Sequence, residues 1–333
     1  MTIEKIRISV GSASVLGLDY RSGFKELPTT CYVMTFKEGH CKANCGFCPQ
    51  ARSSKSSIEK LSRISWPSYS FKDFLKHLKN LPVSSRFNRI CIQTLNYPEN
   101  YPDLVEIITE IKKISNIPIS VAIPPMSKEK MIKLKIIGVQ RLGIALDGAT
   151  PEIFRKIKGT EIDGPYSWEY HLQKLKEATE IFSEGFVSTH LIVGLGESEE
   201  DILTLIEDLN AQKILISLFA FTPIKGTKFE KYAKPQVQSF RKLQLGRYLI
   251  VNKKQNLKIF TFNSGGELLN INIDKKELQT IINQTEAFFT SGCPGCNRPY
   301  YTSKPSGSFY NFPRDLNELE KREIYRELSE FVI

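Results

Sequence analysis

Residues 41–48 read Cys41-Lys42-Ala43-Asn44-Cys45-Gly46-Phe47-Cys48, which places three cysteines at the spacing C-x3-C-x2-C. Three thiolates this close together can bind three irons of one [4Fe–4S] cube and leave the fourth iron open. A structural zinc site would instead need four ligands in a closed shell. A disulfide fails because three crowded thiols cannot pair off without leaving one over. The stretch therefore predicts an iron–sulfur site with an open coordination position.

Composition indicates a large globular protein. The chain has 333 residues, of which 41% are hydrophobic and 25% are charged, enough for a sizeable core. No apolar run approaches the roughly 20 residues that span a bilayer, and the N-terminal residues lack the apolar centre of a signal peptide. We therefore expect a cytoplasmic protein with no membrane partner. Seven cysteines in such a compartment indicate metal or redox roles rather than disulfides.

The net charge is +10, from 46 Lys and Arg against 36 Asp and Glu. One interpretation is an ordinary solvated basic surface. The other is an acidic partner, such as a carrier protein, a nucleic acid or a phosphorylated substrate. No basic tail or RNA-binding motif supports nucleic acid, so we expect none as a partner.

Short apolar runs alternate with amphipathic stretches for most of the chain. Strand-like runs cover residues 31–36, 89–94, 117–122, 139–146, 187–193, 214–221 and 258–262. Helix-like stretches cover residues 71–81, 103–114, 128–137, 151–157, 167–183, 199–211 and 236–255. This alternation predicts parallel strands with right-handed crossovers, in either a (β/α) barrel or a doubly wound sheet. An eighth strand is expected at residues 287–291.

The C-terminal part differs in composition. Residues 291–313 are rich in Gly, Pro, Ser, Tyr and Asn and predict an ordered loop, and residues 315–332 predict a closing helix. We therefore expect a short N-terminal extension (1–30), one α/β barrel (31–290) and a C-terminal tail (291–333).

The tail contains a second cysteine motif, Cys293-Pro294-Gly295-Cys296. Such a knuckle can point both thiolates at one metal. A thioredoxin-like redox pair fits the spacing, but the motif does not stand at the start of a βαβ unit. Zinc would need two further ligands, and of the four histidines only His190, inside a predicted strand, could face the barrel interior.

The remaining cysteines suggest a second cluster. Beyond the first motif the chain has Cys31, Cys91, Cys293 and Cys296, the number that a second [4Fe–4S] cluster needs. Alternatively, Cys31 and Cys91 are small buried residues. Ser303 and Ser306 are rival ligands.

The first motif, followed by Pro49-Gln50, resembles the radical SAM superfamily and its biotin-synthase-like branch. The resemblance implies a (β/α) TIM-type barrel with the cysteine loop after the first strand. It also implies S-adenosylmethionine (SAM) at the open iron and an external electron donor. Cleavage of SAM would yield a 5′-deoxyadenosyl radical that abstracts hydrogen from an unactivated carbon. No catalytic side chain is assigned.

The same resemblance implies cofactor contacts. Gly194 and Gly196, after the fifth strand, would support the adenine of SAM, although a strand-to-helix Gly-x-Gly is also an ordinary tight turn. Asp147 would meet the SAM ribose or the substrate, or else cap the next helix. Phe47 and Phe221 are expected to contact the cofactor, whereas Phe219 is expected in the barrel core.

Residues 293–313 resemble the C-terminus of archaeal radical SAM proteins that act as a two-protein lipoyl synthase. This implies sulfur insertion into an octanoyl chain on a lysine of an H protein or E2 lipoyl domain, together with a second radical SAM subunit. Two [4Fe–4S] clusters are implied, the second of which donates sulfur. Positive charge would help to recruit the acidic carrier.

Two alternatives remain at this point. One is biotin synthase or another radical SAM sulfurtransferase. Cys91 matches an auxiliary-cluster ligand of biotin synthase, but Val121 or a neighbour, Ser188 and roughly Thr261 stand where that family has Cys, Cys and Arg. A biotin-synthase [2Fe–2S] centre is therefore not expected. The other alternative is a non-catalytic metal-binding protein that docks on nucleic acid.

Overall fold

The structure is a computed structural model that describes residues 2–19, 25–82, 87–303 and 309–333. Its strands are β1 (Lys5–Ile8), β2 (Thr30–Thr35), β3 (Lys60–Leu61), β4 (Ile64–Ser65), β5 (Ser68–Ser70), β6 (Arg89–Gln93), β7 (Ile119–Ala122), β8 (Val139–Gly143), β9 (Val187–Val193), β10 (Leu215–Ala220), β11 (Phe260–Phe262) and β12 (Leu268–Ile271). Its α-helices are α1 (Val10–Val15), α2 (Phe71–Lys79), α3 (Asn100–Ile114), α4 (Lys128–Ile136), α5 (Pro151–Ile157), α6 (Trp168–Ile181), α7 (Glu199–Ala211), α8 (Val237–Val251), α9 (Lys275–Gln284) and α10 (Glu318–Leu328).

One mostly parallel, eight-stranded sheet organises the molecule, in the order β10-β9-β8-β7-β6-β2-β1-β5. The six strands β2 and β6 to β10 are parallel to one another, with helices between them in the chain. Strand β1 pairs antiparallel with both β2 and β5 at one end of the sheet. The predicted α/β fold of TIM-type barrel character is confirmed, with six parallel strands.

The predictions for a seventh and an eighth barrel strand were wrong. Residues 258–262 contribute β11, which pairs antiparallel with β12 in a separate two-stranded ribbon. Residues 287–291 begin within a 3-10 turn at Glu286–Phe288 and make an isolated bridge from Phe289 to Phe312.

Side chains of the tail, rather than another strand, cover the edge of β10. The hydroxyl of Ser291 accepts a hydrogen bond from Leu218 N (3.0 Å), and Asn311 Nδ2 donates to Leu218 O (2.9 Å). These bonds satisfy backbone groups that an exposed edge would leave unpaired. The apolar run at 287–291 therefore reflects burial against the edge and not a ladder.

All of the predicted helices form, with ends that shift by a few residues, as α2 to α8 and α10. The closing helix begins at a capping box, in which Asn317 and Glu320 each bond the other's backbone N–H. Helices α1 and α9 were not predicted. Residues 5–8, within the expected N-terminal extension, form β1 of the main sheet. The proposed domain boundaries stay predictions.

The two faces of the sheet differ in what they pack against: one packs against the helices and the other lines the cavity. Alternation along β2 places Cys31 and Val33 in the hydrophobic core under the helices, while Tyr32 and Met34 belong to a second cluster inside the barrel. The inner face encloses a cavity of about 290 Å³. Among the described residues, no helix is both long and apolar enough to span a bilayer.

Candidate active site

The cavity runs along the inside of the parallel sheet, and its wall contains residues from both ends of the strands. Cys41, Asn96 and Asp147 lie beyond the carboxyl ends of β2, β6 and β8. Arg89 and Ser120 lie at the amino ends of β6 and β7. Active sites of parallel barrels form at the carboxyl ends of the strands, where chain loops converge.

Backbone hydrogen bonds fix the upper cysteine loop, defined here as residues 41–48. Cys41 N donates to Gln50 O (2.8 Å), and Gly46 N donates to Ile157 O (2.8 Å). A Cβ atom at Gly46 would lie 2.6 Å from side-chain atoms of both Ile162 and Phe229. Only glycine fits there, so the loop is held tightly against α5 and the turn that follows it.

The three thiols of the upper loop lie close enough to affect one another's pKa. Burial raises the pKa of Cys48, and the charges of Cys45 and Cys41 raise it further. Burial also raises the pKa of Cys45 to about 12. Asn96 N donates to Cys41 Sγ at 3.1 Å. The thiols are therefore protonated until a metal binds and displaces the protons.

The donor geometry fits a cluster better than one ion. In the described ranges no three His, Cys, Asp or Glu side chains converge on a single point as one metal ion requires. A zinc ion would draw its sulfur ligands to about 2.3 Å. In a [4Fe–4S] cube each cysteine binds a different iron, so the thiolates stand apart. All seven cysteines are free thiols.

Asp147 is the centre of a buried charge cluster. Lys158 Nζ donates to Asp147 Oδ2 (2.6 Å), and His190 Nε2 lies 2.9 Å from Asp147 Oδ1. Burial alone would raise the pKa of Asp147, but Lys158 and His190 outweigh it and hold that pKa well below the ordinary aspartate range. The capping alternative was wrong, because the side chain of Thr150 caps α5. Asp147 has a left-handed backbone (φ +65°) that turns it into the cavity.

Gly194 and Gly196 form a turn beside the cavity and are not in its lining. Their φ angles of +102° and +116° favour glycine. Glu197 accepts hydrogen bonds from Gly194 N (2.5 Å) and Leu195 N (3.0 Å). The turn thereby presents Leu195 to an apolar cluster that also contains Phe221.

Phe47 and Phe221 lie where a flat apolar ligand could contact them. Phe47 packs against the cluster of Leu195 and Phe221, and both aromatic side chains line the cavity. Phe219 also lines the cavity, with its ring 5.5 Å from the ring of His190. Phe219 is buried, in keeping with the expected core position, and it also belongs to the cavity wall. His190 does face the interior.

Three further thiols, called here the basal thiols, line the same cavity: Cys91, Cys293 and Cys296. Each lies within hydrogen-bond distance of a polar side chain. Tyr32 OH lies 3.1 Å from Cys296 Sγ, Ser120 Oγ lies 3.5 Å from Cys293 Sγ, and Gln93 Nε2 donates to Cys91 Sγ at 3.1 Å.

The knuckle enters the barrel from the amino ends of the strands. Asn297 Oδ1 accepts a hydrogen bond from Thr29 N (3.1 Å), just before β2, and Asn297 Nδ2 donates to Leu27 O (2.9 Å). Pro294 and Gly295 are exposed at the tip. The basal thiols and the upper cysteine loop therefore approach the cavity from opposite ends of the barrel.

Arg298 is a residue that the sequence interpretation missed. Its guanidinium lies 4.9 to 5.4 Å from the rings of Tyr301, Phe219 and Tyr32. Burial would lower the pKa of Arg298, but Tyr301, Cys91 and Cys296 raise it above the usual value. The feature of the sequence that could have indicated Arg298 is its position two residues after the knuckle.

Cys31 and Ser303 are not in the cavity wall. Cys31 is fully buried on the helix-covered face of β2, so we leave it out of the proposed ligand set. The hydroxyl of Ser303 accepts from Tyr310 N (3.0 Å) and does not line the cavity. Ser306 lies outside the described residues.

This fold and loop define an α/β enzyme with a three-cysteine site at the carboxyl end of its sheet. The family model of the Radical SAM superfamily matches residues 39–209, and the chain belongs to this superfamily. Membership implies a [4Fe–4S] cluster and SAM.

Similarity to individual proteins indicates a branch of the superfamily. The chain is 26% identical over 255 residues to biotin synthase from Sulfurihydrogenibium sp. (strain YO3AOP1). The alignment covers 74% of this chain and 70% of that protein. It is 28% identical over 202 residues to biotin synthase from Methanococcus aeolicus, which covers 60% of this chain and 57% of that protein. The protein is thus a radical SAM enzyme with biotin-synthase-like relatives.

Solved structures share the fold at low identity. The FeFe-hydrogenase maturase HydG from Carboxydothermus hydrogenoformans superposes with a TM-score of 0.53 at 18% identity, over 88% of this chain and 65% of that one. Methylornithine synthase (PylB) gives a TM-score of 0.50 at 17% identity, over 66% and 62% of the two chains.

Proposed function

We propose that this enzyme inserts sulfur into an octanoyl chain carried on a lysine of an acidic carrier protein. The observation that supports the proposal is the meeting of two separate thiol groups, the upper cysteine loop and the basal thiols, in one cavity. Cys41, Cys45 and Cys48 would hold the SAM-binding [4Fe–4S] cluster. Cys91, Cys293 and Cys296 would hold a second [4Fe–4S] cluster, which is the source of sulfur.

When bound, the first cluster and SAM supply a 5′-deoxyadenosyl radical that can remove hydrogen from an alkyl carbon. The chain's own task is to hold the alkyl group between the two thiol groups and to exclude water. Phe219, Tyr301 and Tyr166 line this part of the cavity. Their rings offer apolar contact to a hydrocarbon chain and shield a reactive carbon from solvent.

The charge cluster around Asp147 would orient SAM at the end of the cavity beside the upper cysteine loop. Lys158 is held by Asp147 Oδ2 (2.6 Å) and by Ala145 O (2.8 Å), so its ammonium has a fixed position beside Cys45. Phe47 and Phe221 would contact the adenine, and the Gly194–Gly196 turn would support that pocket from behind. An external electron donor is required to start the reaction.

Exposed cations surround the upper cysteine loop. Lys42, Arg52 and Lys55 are exposed on or directly after it. With a net charge of +10, this face would attract an acidic H protein or E2 lipoyl domain. A second radical SAM subunit would complete the lipoyl synthase.

Biotin synthase is the second candidate, favoured by the named relatives. Against it, Ser188 and Val121 or its neighbour Ser120 line the cavity at the positions where that family has cysteine ligands. Thr261 lies in the β11–β12 ribbon and is exposed.

The deciding experiment offers both substrates to the reconstituted enzyme with SAM, a reductant and a candidate partner subunit. Mass spectrometry of an octanoylated carrier domain should show added sulfur, and dethiobiotin should remain unchanged. Sulfur added to dethiobiotin alone would overturn the proposal in favour of biotin synthase. SAM cleavage without sulfur transfer to either substrate would overturn both.

A further inference from the structure

Two arginines, Arg89 and Arg141, line the base of the cavity, and neither has a charged partner among the residues that the structure describes. Arg89 is 8% exposed, and its guanidinium donates to Ser120 Oγ (3.0 Å) and Gln140 Oε1 (2.6 Å). Arg141 donates to Gly185 O (2.5 Å). The Nε atoms of both arginines are buried and have no hydrogen-bond partner among the described residues.

The two guanidinium groups lie close enough to affect each other. Burial lowers the pKa of Arg141; Cys293 opposes this, and Arg89 lowers the pKa further. All of their hydrogen-bond acceptors are neutral, and neither side chain forms an ion pair within the part of the chain that the structure describes. Neighbouring cations with unpaired donors are costly to bury unless an anion completes the site.

The order of residues along β6 locates this anion relative to the basal thiols. Arg89, Cys91 and Gln93 line the cavity in that order, and Asn96 follows beside Cys41. Arg89 therefore lies beyond Cys91 as seen from the upper cysteine loop, and Arg141 lies level with Cys91, because Ser120 pairs in register with both Cys91 and Arg141. Ser120 Oγ connects the two groups, because it lies 3.0 Å from Arg89 Nη1 and 3.5 Å from Cys293 Sγ.

We propose that Arg89 and Arg141 bind a small sulfur anion, hydrosulfide, next to the basal thiols. The choice of hydrosulfide rests on the proposed function, in which sulfur is consumed at the basal thiols. The alkyl substrate and SAM would lie at the other end of the cavity. A single small anion suits the site, because the two guanidinium groups lie close to each other and both arginines line the cavity.

Bromide is the probe for the site itself. Crystals of the protein soaked in bromide should show anomalous density in contact with both guanidinium groups. Added sulfide should remove this density, and the same concentration of chloride should not. The site is overturned if the wild-type protein shows no bromide there, or if bromide persists in Arg141→Gln. Displacement by chloride as readily as by sulfide would overturn the assignment to hydrosulfide.

The loading of the second cluster with sulfide tests the role of the arginine pair. In anaerobic reconstitution, Arg141→Gln should need about tenfold more sulfide for half-maximal loading of the second cluster, as expected for one lost charged hydrogen bond. Loading of the first cluster should not change. Arg141→Lys should recover most of the effect, and Arg326→Gln, which removes an exposed cation on α10, should resemble wild type. An unchanged sulfide requirement in Arg141→Gln would contradict the role.

The two proposals fail separately. If no variant, wild type included, ever loads a second cluster, the sulfur-donor function is wrong, and the bromide result alone still decides whether the anion site exists.

Discussion

The upper cysteine loop and the basal thiols reach one cavity by different routes. The upper loop carries its three cysteines within eight consecutive residues, and its own backbone hydrogen bonds fix them. The basal group combines Cys91 of β6 with Cys293 and Cys296, about two hundred residues later in the chain. Local spacing makes the first group visible in the sequence, whereas the second exists only because the tail folds back to the amino ends of the strands.

The largest expected effect is the loss of SAM cleavage when the upper cysteine loop is changed. Cys45→Ala removes one of three thiolates from the upper loop, so production of 5′-deoxyadenosine should fall to background. Chromatography of the reaction products measures this. Cys31→Ala serves as the matched control, since it removes a thiol on the helix-covered face. Persistent SAM cleavage in Cys45→Ala would mean that the upper loop does not hold the SAM-binding cluster.

The next effect should fall on sulfur transfer alone. Cys296→Ala removes a basal thiol and should leave 5′-deoxyadenosine formation measurable, while mass spectrometry of the octanoylated carrier shows no added sulfur. Loss of SAM cleavage as well would mean that the two thiol groups act as one site. Unchanged sulfur transfer would show that Cys296 is not a required ligand of the second cluster.

Breaking the buried pair near the upper loop should cost stability. Lys158→Met leaves the Asp147 carboxylate without its main partner, which should lower the free energy of unfolding by about 3 kcal/mol at pH 7. Urea unfolding measures this value. Lys156→Met, at an exposed position of α5 just before Lys158, should change it little. Asp147→Asn combined with Lys158→Met should regain much of the loss.

The pair also predicts a pH dependence with a defined sign. The folded-state pKa of Asp147 is lowered, so its contribution is present in full above the ordinary aspartate pKa of about 4 and shrinks as the pH falls below it. The difference between wild type and Lys158→Met should therefore narrow in acid. A difference that widens below pH 4 would contradict the assigned pairing.

A smaller effect tests how tightly the upper loop is packed. Gly46→Ala would place a methyl group 2.6 Å from Ile162 and Phe229, and should cost about 1–3 kcal/mol of unfolding free energy with reduced SAM cleavage. Gly265→Ala is the control, because its Cβ would meet its nearest neighbour at 3.4 Å. Equal stability of the two variants would show that the loop yields easily.

The smallest effect concerns Cys31. Cys31→Ala removes one buried sulfur from the core and should cost about 1 kcal/mol, with iron content unchanged. Cys91→Ala, on the adjacent strand but facing the cavity, should lose the iron of the second cluster. If Cys31→Ala also lost iron, our exclusion of Cys31 from the ligand set would be wrong.

Periodicity and local spacing predicted the six parallel strands, their helices and the upper cysteine loop, since each depends on residues close in sequence. The end of the barrel could not be predicted, because Ser291 and Asn311 cover the β10 edge through side chains. Arg298 and the arginine pair were missed for the same reason: their surroundings come from strands and tail segments far apart in the chain. The place of Cys31 on the helix-covered face could not be predicted, because composition does not reveal which face of a strand a residue occupies.

The central claim is that two separate cysteine sites share one cavity, and iron and sulfide analysis after anaerobic reconstitution tests it most directly. Wild type should hold about eight irons, and a Cys41/Cys45/Cys48→Ala variant about four, as two cubes require. About four irons in wild type, falling to none in the variant, would show a single cluster and contradict both the second site and the proposed sulfur insertion.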